Sequence, residues 1–236
     1  MSKYLVFGAA GSIGSAVALK LRANNHIVDG IIRRLNSDSE RYQLLKDAGV
    51  LIHDGIDVSS NDLLWFGRGM KANNVKMDGF VYAVGHCPPC GFAEAISHLM
   101  SEYPLEQYRR EIDMYQIGVL NVFQCMLPQV KDGGSFVFIS SAITRLKGKF
   151  PPFLHAHGYA GTKAAEDWLI DGMRHDPVVK KREIKIHRIA PAAVDTPFHH
   201  GEGPQPPKLV PIEVVANQVV HALASDEDVD LDILPE

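Results

Sequence analysis

The sequence predicts an α/β chain: a single Rossmann-type domain built on a doubly wound parallel sheet of about seven strands with helices on both faces. Short apolar runs of strand length alternate along the chain with amphipathic stretches, the pattern of strands buried on both sides and joined by crossover helices. The first run, Tyr4-Leu5-Val6-Phe7, leads into a glycine turn that opens a helical stretch, the usual start of a nucleotide-binding unit. At 236 residues the chain suits one large domain spanning residues 1–236, and no repeat, low-complexity segment or linker divides it.

The turn reads Gly8-Ala9-Ala10-Gly11-Ser12-Ile13-Gly14, and the helix after it places Ile13, Val17 and Leu21 on one face. Glycines belong where a backbone turns sharply and approaches a pyrophosphate, with the helix N-terminus aimed at the negative charge. A second strand, Ile27 to Ile32, runs into Arg33-Arg34. At that place an acidic side chain holds a ribose 2′-hydroxyl, whereas an arginine accommodates a 2′-phosphate. The two guanidinium forks therefore favour NADP(H) over NAD(H), the plainer alternative being a solvated basic turn. A helical segment from Ser39 to Ala48 follows, then a short strand, Val50 to His53, the pair Asp57-Val58, a helix over Asn61 to Met70 and a fourth strand, Asp78 to Gly85.

Pro104 to Val130 carries the longest helical pattern, with Ile112, Tyr115, Val119, Val122 and Phe123 forming its stripe. Gly133-Gly134 then turns into a fifth strand, Ser135 to Ile139, which ends in Ser140-Ser141. After a loop from Ala142 to His157, a helix runs from Tyr159 to Met173. Glu183 to Ala190 is a sixth strand, Pro191 to Pro197 its exit, and the Pro-, Gly- and His-rich Phe198 to Val210 has the composition of a flap. Ile212 to Ala224 closes the pattern as a helix, with a last strand over Asp230 to Leu234. In such a sheet the ligand lies beyond the carboxyl ends of the strands.

Two features carry chemistry. Tyr159 and Lys163 stand four apart, hence on one helix face. A phenol titrates near pH ~10, and a neighbouring cation favours the phenolate, so Lys163 is expected to lower that value and ready Tyr159 for proton transfer. Cys87-Pro88-Pro89-Cys90 has the spacing of half a zinc site or of a redox pair, but no second pair completes a zinc site, and two thiols in a proline-stiffened loop is the simpler reading. His155 and His157 lack an obvious third ligand, so no metal site is expected, and Cys125 falls in an apolar helical pattern as a buried residue. Three cysteines fit a reducing compartment. A formal charge of −4 with mixed signs offers no nucleic-acid or membrane surface, and no run reaches the roughly 18 apolar residues of a membrane span. A cytoplasmic protein is expected.

In sequence order the glycine turn, Asp57-Val58, the strand ending at Gly85, Gly133-Gly134 leading to Ser140-Ser141, Tyr159 to Lys163, and Pro191 to Thr196 resemble the short-chain dehydrogenase/reductase family over nearly the whole chain. The resemblance implies an NADP(H)-dependent oxidoreductase that interconverts a carbonyl and a secondary alcohol on a small molecule. It implies that Gly8, Gly11, Ser12, Ile13 and Gly14 contact the pyrophosphate, Arg33 and Arg34 the 2′-phosphate, and Asp57 and Val58 the adenine. Ala83, Val84 and Gly85 would line the ribose region, and Pro191, Val194 and Thr196 would border the nicotinamide. Ser141 would hold the substrate oxygen, Tyr159 would donate the proton, and Lys163 would hold the ribose. Family members also pair the long helix and the tyrosine helix across a two-fold axis, which implies a homodimer or homotetramer.

The chain departs from the family pattern in several places. Ser12 stands at a usual glycine, Tyr82 to Gly85 replaces an Asn-Asn-Ala-Gly strand end, and Ala192 replaces a glycine after Pro191. The asparagine of the catalytic tetrad falls on Tyr115, and the interval from Ser141 to Tyr159 is longer than usual. The lost asparagine motivates an alternative, a non-catalytic NADP(H)-binding regulator or sensor with the same fold.

Overall fold

Strand β1 (Lys3–Phe7) is parallel to both of its neighbours, β2 (Ile27–Ile31) and β4 (Met77–Tyr82). The computed structural model describes residues 1–34, 39–85, 98–145, 156–197 and 208–235. With β3 (Leu51–His53), β5 (Val130–Ile139), β6 (Lys185–Pro191) and β7 (Asp230–Ile233) the strands form a seven-stranded sheet in the order β3-β2-β1-β4-β5-β6-β7, every pairing parallel. The chain winds outward from β1 to β3, returns past β1, and winds the other way to β7. The reversal lies between β1 and β4, which opens a crevice at their carboxyl ends.

Alternation along β1 decides the two cores. Tyr4 and Val6 enter one face with Val17 and Leu21 of α1 (Ser12–Ala23) and Val215 and Val219 of the C-terminal helix, α8 (Ile212–Leu223). Leu5 and Phe7 enter the other with Leu63 of α3 (Asn61–Ala72), Val122 and Met126 of α5 (Val119–Met126) and Ile170 of α6 (His157–His175). Leu5, Val6 and Phe7 are each 0% exposed, and a fully buried side chain of this size contributes roughly 1.5–3 kcal/mol. A strand buried on both faces reads as an unbroken apolar run, which is why its periodicity alone does not identify it.

Several boundaries differ from the sequence expectation for local reasons. β5 starts at Val130, because Gly133 takes φ +72 and the register with β4 shifts between Met77 and Gly79; the two glycines form an irregularity inside the strand instead of a turn before it. β4 ends at Tyr82, leaving Ala83 to Gly85 beyond the strand end. The expected long helix is three pieces: α4 (Leu105–Ile112), a π-helical stretch Asp113–Gly118, and α5. Tyr82 Oη donates to the Met114 carbonyl, and a Cβ on Gly118 would lie 2.5 Å from that hydroxyl and 2.8 Å from Val58 Cγ2. The widened turn thus brings the helix backbone against the carboxyl end of the central strand, β4. Between β2 and β3 lies α2 (Glu40–Asp47), and a 3₁₀ turn, Ala142–Arg145, follows β5. α6 begins at His157, so Tyr159 is in its first turn, and Asp176 then caps α7 (Pro177–Lys181), a short helix with no sequence expectation, by accepting from Val178 N at 2.7 Å. Cys125, expected to be buried, is half-buried on α5.

His187, at the centre of β6, is 0% exposed, and its Nδ1 accepts from Val229 N at 3.0 Å. Burial pushes the imidazole down to about 4. With the folded value below the unfolded one, the neutral ring contributes stability that is present above about pH 6.5 and lost as pH falls toward 4. At pH 5 the loss is on the order of 2 kcal/mol. His187→Asn keeps an acceptor for Val229 N and removes the titration. The difference in urea midpoint between wild type and this variant is therefore expected to change in the variant's favour between pH 7 and pH 5.

Candidate active site

A cleft of about 260 Å³ opens beyond β1, β2 and β4, lined by Gly8, Ala10, Gly11, Ile31, Ile32, Arg33, Arg34, Ile56, Asp57, Val58, Ala83, Val84, Gly85 and Met114. Nine of the residues expected around a dinucleotide are in this lining: Gly8, Gly11, Arg33, Arg34, Asp57, Val58, Ala83, Val84 and Gly85. Gly8 takes φ +77, and a Cβ there would stand 2.6 Å from the Ala83 carbonyl oxygen, so only glycine lets the two backbones meet. Gly8 N and Ala9 N both donate to the Ile31 carbonyl, at 3.1 and 3.2 Å, and Ala83 N donates to the Phe7 carbonyl at 3.0 Å. The floor of the cleft is thereby tied to three strand ends. Helix α1 begins after Gly11 with no side-chain cap and no acidic residue in its first turn, which leaves its positive pole uncompensated. Arg33 and Arg34 are exposed at the far end, and Arg33 Nη1 lies 3.9 Å from Asp57 Oδ2.

Other expected residues fall elsewhere. Ser12 and Thr196 line a separate depression of about 520 Å³ with Ser15, Arg41, Asp195 and Pro197. Ile13 packs against the α1 core, and Gly14 is buried where a Cβ would run into the Gly8 carbonyl. Pro191 is buried at the end of β6, while Val194 is 4% exposed and bridges Val210. Cys87, Cys90 and His155 lie outside the described residues, as do most of the loop before Tyr159 and of the flap after Pro197. Among the described residues no group of three or more His, Cys, Asp or Glu side chains is placed to hold a metal, and no helix is long and apolar enough to cross a membrane.

The structure brings Ser141, Tyr159 and Lys163 together. Ser140 turns away, its hydroxyl donating to Asp167 Oδ1 at 2.5 Å, and Thr144 Oγ1 donates to the same carboxylate at 2.9 Å. Ser141 shares a hydrogen bond with the Tyr159 phenol. Tyr159 and Tyr115 meet edge to face, ring centroids 5.8 Å apart, in an apolar cluster with Met114 and Ala156. Val84 packs on that cluster, so Val84 and Met114 belong both to the cleft and to the tyrosine site. Gly158 is required beside Tyr159, because a Cβ there would lie 2.5 Å from the Tyr103 ring. Tyr103 Oη in turn donates to Glu111 Oε1 at 2.8 Å, and Thr162 Oγ1 donates to Glu111 Oε2 at 3.3 Å. Burial pushes the Glu111 carboxyl up.

The sequence reading missed Glu166. Lys163 Nζ donates to Glu166 Oε2 at 2.6 Å and to the Ile139 carbonyl at 3.2 Å, and it stands 3.9 Å over the Tyr115 ring. Glu166 is 0% exposed, and burial pushes its carboxyl up to about 7 against the pull of Lys163. The net balance at Tyr159 runs opposite to the lowered phenol pKa expected from the sequence. Burial, then Tyr115, Glu166 and Glu111, hold that phenol well above its ordinary value, and the Ser141 hydrogen bond only partly offsets them. A carboxylate three residues after Lys163, on the same helix face, was the signal in the sequence.

A buried ion pair predicts an asymmetry between single and double substitution. Lys163→Met, which leaves the Glu166 carboxyl buried without its partner, is expected to cost about 3–5 kcal/mol. Lys163→Met combined with Glu166→Leu is expected to recover most of that loss in urea unfolding.

The family model described as short chain dehydrogenase matches residues 3–206. Among known proteins, an uncharacterized oxidoreductase of Staphylococcus epidermidis is 25% identical over 229 residues, covering 96% of this chain and 93% of its own. The dehydrogenase/reductase SDR family member 11 of Bos taurus is 26% identical over 241 residues, with 96% and 92% covered. Among solved structures, an alcohol dehydrogenase from Thermococcus sibiricus complexed with 5-hydroxy-NADP aligns with TM-score 0.74 at 19% identity, covering 100% of this chain and 99% of that one. A blue fluorescent protein from a metagenomic library in complex with NADPH aligns with TM-score 0.77 at 17% identity, covering 98% and 96%.

Proposed function

The chain belongs to the short-chain dehydrogenase/reductase family and is an oxidoreductase, and from that premise we propose that it interconverts a carbonyl and a secondary alcohol on a small molecule, with NADP(H) preferred over NAD(H) and Tyr159 as proton donor and acceptor. The observation that carries this reading is the hydrogen bond between Ser141 and Tyr159, with Lys163 on the same helix, in a cluster that shares Val84 and Met114 with the cleft. The cleft suits a dinucleotide: a glycine cradle that a Cβ would fill, an uncapped helix N-terminus, and two exposed arginines at the far end. Two solved neighbours at the fold level hold an NADP-type molecule, which supports the same reading.

The cofactor, when bound, supplies or accepts a hydride. The remaining work falls to this chain. The peptide groups of Gly8 and Gly11 and the α1 N-terminus would face the pyrophosphate, and Arg33 and Arg34 would grip a 2′-phosphate through their guanidinium forks. Asp57 and Val58 would hold the adenine, and Ala83, Val84 and Gly85 would line the ribose. Ser12, Ile13 and Gly14 would join Gly8 and Gly11 around the pyrophosphate, and Pro191, Val194 and Thr196 would border the nicotinamide. Ser141 and Tyr159 would meet the substrate oxygen with two hydroxyl donors, stabilising the charge that develops there as the proton leaves Tyr159 Oη. Lys163 would hold the ribose and offset the phenolate. A homodimer or homotetramer in the cytoplasm completes the proposal; Leu105, Ile117 and Trp168, the last 78% exposed, leave apolar surface on α4, the π-helical turn and α6 for such pairing.

Tyr159→Phe is expected to bind NADPH as wild type does and to lose turnover on a panel of ketones by on the order of 10²–10⁴-fold; undiminished turnover would remove the phenol from the mechanism. Arg33→Ala is expected to weaken NADPH by roughly tenfold or more in fluorescence titration and to leave NADH nearly unchanged. The commitment of Lys163 to Glu166 favours one second reading, a non-catalytic NADP(H)-binding regulator. Tight NADPH binding with no oxidation of the cofactor across the panel would support it.

A further inference from the structure

The Lys163–Glu166 pair is not part of the family pattern described above, and it lies directly beneath the tyrosine site. Glu166 Oε2 accepts from Lys163 at 2.6 Å, while Glu166 Oε1 is buried with no hydrogen-bond partner among the described residues. We propose that Glu166 is a positioning residue that acts through Lys163 to set the acidity of Tyr159, so that gain of a proton by Glu166 unmasks the ammonium and readies the phenol. This inference rests on the reading of Tyr159 as the acid/base.

Charge counting explains why. With Glu166 ionised, Lys163 and Glu166 cancel, and ionising Tyr159 leaves a net negative charge in a site where Tyr159 is 7%, Lys163 3% and Glu166 0% exposed. With Glu166 protonated, the phenolate and the ammonium cancel instead. Low-dielectric surroundings make the second arrangement much cheaper than the first. The charged and titratable neighbours agree with this. Tyr115 lies over Lys163; Asp167 and Arg188 form their own pair at 3.6 Å beyond Glu166; Glu111 is saturated by Tyr103, Gln107 and Thr162; and Tyr82 is engaged by the Met114 carbonyl. Of these groups Glu166 alone combines direct contact with Lys163 and an unpaired oxygen, and its carboxyl sits at about 7, where it changes state in ordinary buffers. Tyr115 stands where the asparagine of the family pattern falls, and Glu166 supplies a polar partner for Lys163.

The test uses tyrosinate absorbance of the whole protein, with Tyr159 isolated as the difference between each protein and its Tyr159→Phe counterpart. In Glu166→Gln the Tyr159 midpoint is expected to move toward acid by about one pH unit or more, and in Glu166→Asp, which keeps the charge, to stay on the wild-type side. Turnover on whichever ketone the panel identifies should show the same displacement of its pH profile. Equal midpoints in wild type and Glu166→Gln overturn the inference, and if Tyr159→Phe is inactive they leave the assignment of Tyr159 standing; active Tyr159→Phe removes that assignment itself. Should Glu166→Gln fail to fold, the tyrosine Cζ resonance lost in Tyr159→Phe is followed in labelled wild type between about pH 5.5 and 8.5. A step near 7 supports the coupling, and a flat trace overturns it.

Discussion

The site depends on one close approach: Gly8 at the end of β1 against the Ala83 peptide just past β4, where a Cβ would stand 2.6 Å from the carbonyl oxygen. Parallel strands on either side of a topological reversal diverge at their carboxyl ends, and the crevice between them becomes a cleft only if the chain leaving β1 turns at once. Gly8 makes that turn at φ +77, anchored with Ala9 by hydrogen bonds to the Ile31 carbonyl, and Ala83 answers with a hydrogen bond to Phe7. A side chain at residue 8 pushes β1 and β4 apart, disturbing Val84 and, through it, the packing of Tyr115 against Tyr159. Backbone geometry at the first strand end therefore governs a side-chain site contributed by residues far along the chain.

The second constraint is electrostatic. Helix α6 buries Lys163 and Glu166 one turn apart and places Asp167 next to them, where it receives Ser140, Thr144 and Arg188. Each ion is paired, as burial demands. The arrangement sorts the two adjacent serines: Ser140 is consumed by Asp167, and Ser141 is left for Tyr159. It also explains why a tyrosine–lysine pair at helical spacing does not by itself guarantee an acidic phenol. The ammonium acts on the phenol only to the extent that its nearer partner leaves its charge uncancelled.

Much of this was legible beforehand. Alternating strands and helices specify the parallel sheet, and Gly8, Gly11, Arg33, Asp57 and Gly85 converge on one cleft because they follow strand ends, which periodicity locates well. What escaped was tertiary. The π-helical turn at Asp113–Gly118 arises because Tyr82, distant in sequence, captures the Met114 carbonyl, and no local pattern announces that. Glycines 133 and 134 resemble a turn and instead sit within β5, since the neighbouring β4 accommodates the register shift. Glu166 stands one turn from Lys163 in the sequence, but its burial follows from where α6 packs and not from its neighbours in the chain.

The distribution of charge along the cleft bears on how a dinucleotide would enter it. Arg33 and Arg34 are exposed in the cleft and the positive pole of α1 is uncapped, whereas around Tyr159 the carboxyls of Glu111 and Glu166 are buried beside Lys163. Under the proposed assignment, the phosphates of a dinucleotide would be drawn to the arginines and to the start of α1.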